Sequence, residues 1–337
     1  MIPRFGEVFG EPVPAYFAML VMGFAVAILY GVVWAKRSKL DHDVMIDLGL
    51  GVLIAGVAGA RILHVFVDGY FWDYVHLCTD PSQVAWQITP GQCVQVEGTW
   101  DAVHAVCRPT EGDCFAWAKF WNGGLVWYGG LIVAGAYGIH FLWREKFPVL
   151  KGMDLTGMAI PLGVFFGRLG CWFGGCCYGD VSDHFTAVRF PPWSPASEAH
   201  YREGLLASPG LESLPVLPMQ LWEALACLSI SAFCTLWLQP RKRFDGQVFA
   251  VSMALYAVAR VILEAFRADE RGALLGVSTS QWIGIAIAAG MAYFYVRWRR
   301  EAQAALAAPF VEPAVASAAT DAPAAADAAP SAGREEE

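Results

Sequence analysis

The stretch GRLGCWFGGCCYGD, Gly167 to Asp180, places Arg168 and three cysteines among glycines at the end of an apolar segment. A charge in such a segment is costly, and it persists where it is paired or where it serves a site. A guanidinium offers a planar fork of donors that suits a phosphate group, and a cysteine thiolate is a nucleophile. The stretch therefore predicts an anion site. A redox-active or acyl-accepting thiol site at Cys171, Cys176 and Cys177 is a further hypothesis.

Other charges interrupt apolar stretches elsewhere in the chain. They are Arg61 in GARILHV, Glu223 in MQLWEAL, and Arg260, Glu264 and Arg267 in YAVARVILEAFR. Arg260 and Glu264 are four residues apart and Glu264 and Arg267 three, so each pair shares a helix face. Either these charges neutralise one another and hold helices together, or the arginines form an anion site. Three arginines beside a glycine-rich turn favour the site.

Long apolar segments contain these residues. The 337-residue chain is 56% hydrophobic and 16% charged, against about 25% charged residues in soluble proteins. A bilayer core about 30 Å thick needs roughly 20 apolar residues per helix. Seven segments reach this length, near 14–35, 44–67, 123–143, 153–173, 217–239, 247–266 and 281–297. The sequence predicts an all-α polytopic membrane protein, with seven transmembrane helices in a domain over residues 1–300.

Basic residues are concentrated in alternate connections, after the first, third, fifth and seventh segments. By the positive-inside rule, this pattern places the N-terminus outside and the C-terminus inside. Arg61, Arg168 and Arg260 then lie toward the outer half of three helices, and Glu223 in the outer half of a fourth. Three guanidiniums at one depth predict a cationic pocket near the outer headgroups, where a phospholipid headgroup is the natural anion.

Two parts lie outside the apolar segments. The outer loop over 68–120 contains Cys78, Cys93, Cys107 and Cys114. Four cysteines in an exterior loop predict two disulfides with three possible pairings, and a zinc site is the alternative. Cys227 and Cys234, within the fifth segment, are predicted to be packing residues. The Ala- and Pro-rich tail over 301–337 is predicted to be disordered, because it lacks the apolar bulk for a core.

Glycines are dense at the start of the third segment, WNGGLVWYGGLI, and at the end of the fourth. Glycine allows close backbone approach and positive φ. Irregular backbone at membrane depth is tolerated where it lines a cavity or lies buried in protein. Tight helix packing explains one or two such glycines. Two dense clusters near the outer face favour a cavity.

Taken in order, these motifs resemble those of the bacterial prolipoprotein diacylglyceryl transferases, over roughly residues 10–297. GRLGCWFGGCCYG resembles the family signature G-R-x-G-N-F-x-x-G-x-x-x-G, with Arg168 on its arginine and Gly179 on its last glycine. GARILHV, NGGLVWYGGLI, AVRFPPW, LPMQLWEAL, ARVILEAFRADE and STSQW resemble further family segments. VPAYFAML places Tyr16 on a tyrosine of the first span.

The resemblance implies an inner-membrane enzyme with its active site toward the periplasm. Such an enzyme transfers a diacylglyceryl group from phosphatidylglycerol to the lipobox cysteine of a prolipoprotein signal peptide. The resemblance implies no metal, no diffusible cofactor and no nucleic-acid partner. The implied catalytic residues are Tyr16, Tyr128, Arg168 and Arg260. The implied substrate-binding residues are Arg61, Arg168, Gly179, Gln220, Glu223, Glu264 and Arg267.

Three positions depart from the family pattern. Tyr128 and Leu217 stand where the family has histidines, and Cys171 stands where it has an asparagine. Tyrosine has an ordinary pKa near 10, so it is a weak base at neutral pH unless nearby arginines lower that pKa. An alternative function is therefore a paralogue that binds phospholipid, or performs thiol-redox chemistry, on the same scaffold.

Overall fold

The fold is mostly helical. The computed structural model describes residues 4–8, 11–67, 69–88, 93, 98–120, 124–267, 273–274 and 277–307. The helices in these ranges are Ala15–Arg37 (α1), Asp43–Val67 (α2), Phe71–Thr79 (α3), Trp127–Arg144 (α4), Val149–Gly174 (α5), Pro195–Arg202 (α6), Met219–Phe233 (α7), Gln247–Glu264 (α8) and Thr279–Ala307 (α9). A π-helical turn and a 3₁₀ turn continue α7 to Arg241. The tail predicted to be disordered from residue 301 is helical over 301–307, where α9 continues, and residues 308–337 lie outside the described residues.

Each predicted apolar segment coincides with a long helix: α1, α2, α4, α5, α7 with its continuation, α8 and α9. Among the described residues, five of these helices are long and apolar enough to cross a membrane by length and composition. They are α1, α2, α5, α7 with its continuation, and α8. The chain therefore has the make-up of a multi-pass membrane protein, and membrane crossing by α4 and α9 stays a prediction.

Short strands in the connections correct the all-α prediction. β1 (Arg4–Val8) pairs with β2 (Glu11–Pro14), β3 (Gly98–Asp101) with β4 (Val106–Pro109), and β5 (Ala273–Leu274) with β6 (Val277–Ser278), all antiparallel. Strands of two to five residues are too short to show an alternating hydrophobic pattern in the sequence.

α5 lies at the centre of the bundle and packs against α1, α7 and α8, while α2 packs on α4 and α8 on α9. A Cβ at Gly157 would lie 2.7 Å from the Cα of Phe249, so α5 and α8 approach backbone to backbone there. Ser252 Oγ donates to the Gly157 carbonyl (2.6 Å), and Ser231 Oγ donates to the Met158 carbonyl (2.9 Å). Small residues and interhelical hydrogen bonds hold helices together where lipid offers no hydrophobic driving force.

A buried carboxylate fixes the start of α8 against α5. Asp154, fully buried in α5, accepts hydrogen bonds from the backbone N–H groups of Gly246 (3.0 Å), Val248 (2.9 Å) and Phe249 (3.0 Å). Lys242 Nζ lies 2.9 Å from the same carboxylate. The first N–H groups of a helix have no intrahelical partner, and the positive end of the helix dipole favours an anion there. Asp154 therefore caps α8 from a neighbouring helix.

The cysteines separate into three groups. In the outer loop Cys78 is bonded to Cys114, and Cys93 to Cys107. These two disulfides confirm the prediction, give the pairing that the sequence left open and exclude zinc on these four residues. Cys227 and Cys234 are completely buried among the helices, as expected of packing residues. Three free cysteines remain, all at the end of α5.

The connection between α5 and α7, residues 175–218, folds over the end of α5 around a small core. Phe190, Ala196 and Val216 are completely buried there. Val216 pairs with both Val181 and Val188 in isolated antiparallel bridges. This connection carries the last glycines of the signature-like stretch and holds them against α7.

Acid is expected to destabilise this connection through His200, which is buried in α6. Its Nδ1 accepts the Leu214 N–H at 3.2 Å, which requires the neutral ring, and burial lowers the pKa of His200. In the unfolded chain the histidine side chain becomes protonated near pH 6.5. The free energy of unfolding therefore decreases as the pH falls through 6.5, and it stops decreasing below the lowered pKa of the native state. The unfolding temperature should be lower at pH 5 than at pH 7.5, and this difference should be smaller in His200→Gln. An unchanged difference in that variant would assign the acid sensitivity to other groups.

Candidate functional site

Glu223 lies between two arginines from different helices. Its carboxylate contacts Arg168 Nη2 at 2.9 Å and Arg260 Nη1 at 3.3 Å. Arg168 comes from the last turns of α5, Glu223 from the first turns of α7 and Arg260 from the last turns of α8. The three helices thus meet at one end, about 21 Å along α5 from Asp154 at a rise of about 1.5 Å per residue. The structure brings together three residues that the sequence predicted for the site.

A second carboxylate extends the cluster along α8. Arg260 Nη2 lies 2.7 Å from Glu264 Oε2, and Arg267 Nε lies 4.0 Å from the same oxygen. Ser278 Oγ, in β6 immediately before α9, donates to Glu264 Oε1 at 3.4 Å. The predicted i, i+4 and i, i+3 pairs therefore both form, within a network that also reaches α5, α7 and β6.

The cluster is suited to an anion because its cations outnumber its carboxylates. Among the described residues, Arg168, Arg260 and Arg267 contact Glu223 and Glu264, so three cations meet two carboxylates. The Arg168 side chain is 20% exposed and the Arg260 side chain 13%. Within the described part of the chain, Arg168 uses only Nη2 in a contact, so Nε and Nη1 remain for a ligand. A partly exposed guanidinium with unused donors matches a phosphate oxygen in geometry and charge.

Gln220 joins α7 to the cysteine-containing turn after α5. It is buried, and its Nε2 donates to the Cys176 carbonyl at 2.8 Å. Its Oε1 is buried without a hydrogen-bond partner among the described residues. Because buried amide oxygens are normally paired, this atom has acceptor capacity left for a donor entering the site.

Gly179 is the point where the turn, α7 and the end of α8 come closest. It pairs with Arg267 in an antiparallel bridge, and its N–H donates to the Leu217 carbonyl at 2.9 Å. A Cβ here would lie 2.6 Å from both Met219 Cγ and the Phe266 carbonyl oxygen. Glycine is therefore required by close packing next to Arg267.

Gly179→Ala is expected to lower the free energy of unfolding by about 1–3 kcal/mol, the usual cost of overpacking a tight contact. Any activity that depends on Arg267 should fall with it, because Arg267 moves with the bridge. The control is Gly290→Ala in α9, where a Cβ meets no atom within 4 Å. Thermal unfolding of both variants checks the prediction, and equal stability would show that the contact relaxes without cost.

The glycines at the start of α4 serve helix packing. A Cβ at Gly130 would lie 3.0 Å from the Gly56 carbonyl oxygen, and a Cβ at Gly129 would overlap the Gly59 backbone and Leu63. This part of the predicted cavity is therefore the surface on which α2 and α4 pack.

Arg61 points into a different environment from Arg168 and Arg260. Its Nε donates to the Trp117 carbonyl (2.6 Å), and its Nη2 donates to the Ala116 carbonyl (2.7 Å) and the Tyr74 hydroxyl (3.0 Å). Its Nη1 donates to the Gly124 carbonyl at 3.1 Å. These bonds tie the outer loop to α2. A role for Arg61 in substrate binding stays a prediction.

The two predicted catalytic tyrosines lie on α1 and α4. Tyr16 packs against the end of α5, since a Cβ at Gly170 would lie 3.3 Å from its Cα, and one at Gly174 3.8 Å from its Cβ. Tyr128 is 37% exposed and makes a T-shaped contact with Trp127. Among the described residues it has no hydrogen bond to the arginine cluster.

Sequence reasoning missed two members of the site. Tyr256 donates its hydroxyl to Glu223 Oε1 at 3.3 Å, and Ser278 reaches Glu264. Tyr256 precedes Arg260 by four residues, so its place on the same helix face was a signal in the sequence. Ser278 lies in STSQW, a stretch that resembled the family without any role for this serine.

Comparison with known proteins identifies the family of the chain. The sequence profile of the prolipoprotein diacylglyceryl transferases matches residues 5–91 and 110–297, which is well over half of the chain. The chain belongs to this family. The transferase resemblance predicted from the motifs is thereby confirmed, and the chain is a multi-pass membrane enzyme of lipoprotein biosynthesis. The unmatched residues 92–109 are part of the cysteine-containing outer loop.

Individual relatives cover almost the same length. A phosphatidylglycerol–prolipoprotein diacylglyceryl transferase from Clostridium tetani is 25% identical over 288 residues, covering 85% of this chain and 93% of the relative. One from Clostridium perfringens is 26% identical over 291 residues, covering 86% and 93%. One from Corynebacterium diphtheriae is 29% identical over 306 residues, covering 86% and 90%. Each relative is thus matched over most of this chain and over nearly all of its own length.

Proposed function

We propose that this transferase moves the diacylglyceryl group of phosphatidylglycerol onto the lipobox cysteine of a prolipoprotein signal peptide. The observation that carries the proposal is the pair of guanidiniums joined by Glu223, with donors of Arg168 left for a ligand. The only anion in the donor lipid is its phosphodiester. A site at the end of the bundle where three arginines meet two carboxylates fits that group.

The reaction needs charge neutralisation on the leaving group. The substrate sulfur forms a bond to the glycerol carbon, the bond from that carbon to the phosphate oxygen breaks, and glycerol phosphate leaves. The thiol proton passes to a base or to solvent, because the thiolate is the nucleophile. Arg168 and Arg260 hold the phosphate, whose charge grows as the bond breaks, and preorganised donors at such a position lower the barrier. Glu223 and Glu264 fix the directions of the guanidiniums.

The proposed topology has seven spans with the N-terminus outside. Basic residues follow alternate helices on one side of the bundle. The arginine cluster lies at the other end, together with the disulfide-bonded loop, and disulfides persist in oxidising compartments such as the periplasm. The active site is therefore proposed to face the periplasm, where lipid and signal peptide enter from the bilayer. Residues 1–300 form the transferase domain in this proposal.

Tyr16 and Tyr128 are proposed to act on the substrates. Tyr16 lies beside the end of α5, and we propose that it contacts a headgroup held by Arg168. Tyr128 stands at the histidine position of the family and is proposed to orient the headgroup or, as the phenolate, to accept the thiol proton.

Two substitutions of Tyr128 separate these roles. Tyr128→Phe is expected to reduce kcat at least tenfold if the hydroxyl takes part, because proton transfer by a positioned group contributes about 10²–10⁴-fold. Tyr128→His should retain activity and shift its pH dependence toward the pKa of histidine. The pH profiles of kcat for both variants give the answer, and full activity in Tyr128→Phe would remove this residue from the mechanism.

A second candidate is a paralogue that binds phospholipid without transferring it. It is favoured by Tyr128, which stands at a family histidine position. It predicts tight binding of phosphatidylglycerol vesicles with no change in peptide mass.

A transfer assay tests the proposal. Purified protein is mixed with phosphatidylglycerol and a lipobox peptide, and the peptide mass is measured. The expected result is a gain of one diacylglyceryl group that disappears when the peptide cysteine is replaced by serine. No gain, with bound lipid and an active control enzyme, would favour the binding paralogue.

A further inference from the structure

Three thiols converge where α5 ends. The sulfur atoms of Cys171, Cys176 and Cys177 all lie within 4.8 Å of one another. Cys171 is in the last turn of the helix, and the other two follow in the turn after it. Sulfurs at this separation surround a point that a single ion can occupy. The chain places them there across only seven residues.

The backbone of the turn is held in the shape that aims the thiols inward. Gly175 has φ 72° and Cys177 has φ 60°. The second value is unusual for a residue with a side chain, and such strain persists where the surroundings impose it. The Cys176 N–H donates to the Cys171 carbonyl at 3.2 Å, and Gln220 holds the Cys176 carbonyl at 2.8 Å. Hydrogen bonds from both α5 and α7 thus hold the turn that contains Cys176 and Cys177.

Two arginines lie near Cys171 and Cys177. Arg168 lies close enough to interact electrostatically with Cys171 and Cys177, and Arg267 does so with Cys177. Three thiolates around a monovalent metal ion carry two net negative charges, which the two nearby guanidiniums, already paired with Glu223 and Glu264, offset in part. Cys171 is buried while Cys176 and Cys177 are half-buried, so the group is shielded and still reachable.

The three sulfur ligands determine which metal ions this site would favour. All three ligands are soft sulfurs, which favour Cu(I), Zn(II) and iron–sulfur clusters over hard cations. Structural zinc takes four protein ligands almost without exception and catalytic zinc adds a water to three, whereas within the described residues this group offers three thiols, a set that Cu(I) fills without a fourth ligand. We propose that Cys171, Cys176 and Cys177 form a three-thiolate Cu(I) site. Binding forms three Cu–S bonds and releases the thiol protons to solvent, with no change of oxidation state.

The test uses the full-length protein, purified without oxygen and supplied with Cu(I) in competition with a Cu(I)-selective chelator. The expected result is one tightly held Cu(I) per chain, with a sulfur-only shell in X-ray absorption. Replacing all three cysteines by serine should weaken binding at least a hundredfold. The matched control replaces the buried Cys227 and Cys234 by serine and should bind as the wild type does. If the triple variant does not fold, Cys176→Ser alone should weaken binding at least tenfold.

Three outcomes would overturn the proposal. One is copper retained equally by the wild type and the triple variant. Another is a disulfide within the group in the protein as isolated, shown by mass spectrometry of its peptides. The third is one Zn(II) retained in place of Cu(I). Because metal binding is measured without the transfer reaction, its outcome is independent of the proposed function.

Discussion

Arg168→Ala is expected to abolish diacylglyceryl transfer while leaving the protein folded in the membrane. Arg168 supplies unused donors at the site, and its removal also leaves Glu223 with Arg260 and Tyr256 alone. Loss of one donor aimed at developing charge costs about 10²–10³-fold in kcat. Arg260→Ala should behave in the same way. Initial rates with phosphatidylglycerol and a lipobox peptide measure both effects.

A lysine substitution separates the effect of the positive charge of Arg168 from the effect of its planar pair of N–H donors. Arg168→Lys keeps a positive charge without the planar pair of donors, and it should recover only part of the activity. Arg297→Ala is the matched control, because Arg297 is an exposed arginine on α9 paired with Glu301. Full transfer by Arg168→Ala, with the same amount of protein in the membrane, would contradict the phosphate-binding role.

Asp154→Ala is expected to have the largest effect on stability. It would leave three N–H groups at the start of α8 without their acceptor and Lys242 without its buried partner. Breaking a buried ion pair from one side costs about 3–5 kcal/mol. Asp154→Asn keeps one acceptor oxygen and should lose less. Thermal unfolding of the purified protein gives the comparison.

The chain offers a matched control for this prediction. Asp245 lies 3.0 Å from the same Lys242 Nζ, but its side chain is 38% exposed. Partly exposed pairs contribute about 0–1 kcal/mol, so Asp245→Ala should shift the unfolding temperature little. If the two alanine variants lose the same stability, Asp154 does not cap α8 in the way the structure indicates.

The positions of the helices were predictable because apolar length is a strong signal. The predicted segment 153–173 corresponds to α5 at Val149–Gly174, and 44–67 to α2 at Asp43–Val67. Boundaries differ where polar residues begin a helix, as at Lys151 in α5. Asp154 escaped notice because its partners lie 88 to 95 residues away in the sequence.

The sequence predicted most residues of the candidate site, but it only partly predicted which of them are in contact. Arg168, Arg260 and Glu223 were grouped by depth, and the structure joins them directly. Arg61 was grouped with them for the same reason, but depth along a helix does not determine which way a side chain points. Two of its partners are the backbone carbonyls of Ala116 and Trp117, in a loop that no motif describes. Disulfide pairing likewise depends on a folded loop and could not be chosen from spacing.

The most direct test of the central claim is the fate of the phosphate. Phosphatidylglycerol labelled in its headgroup is incubated with the protein and a lipobox peptide, and released glycerol phosphate is counted against modified peptide. We expect one glycerol phosphate per diacylglyceryl-modified cysteine, and no release by Arg168→Ala. Peptide modification without headgroup release, or no release while a control enzyme is active, would contradict the account.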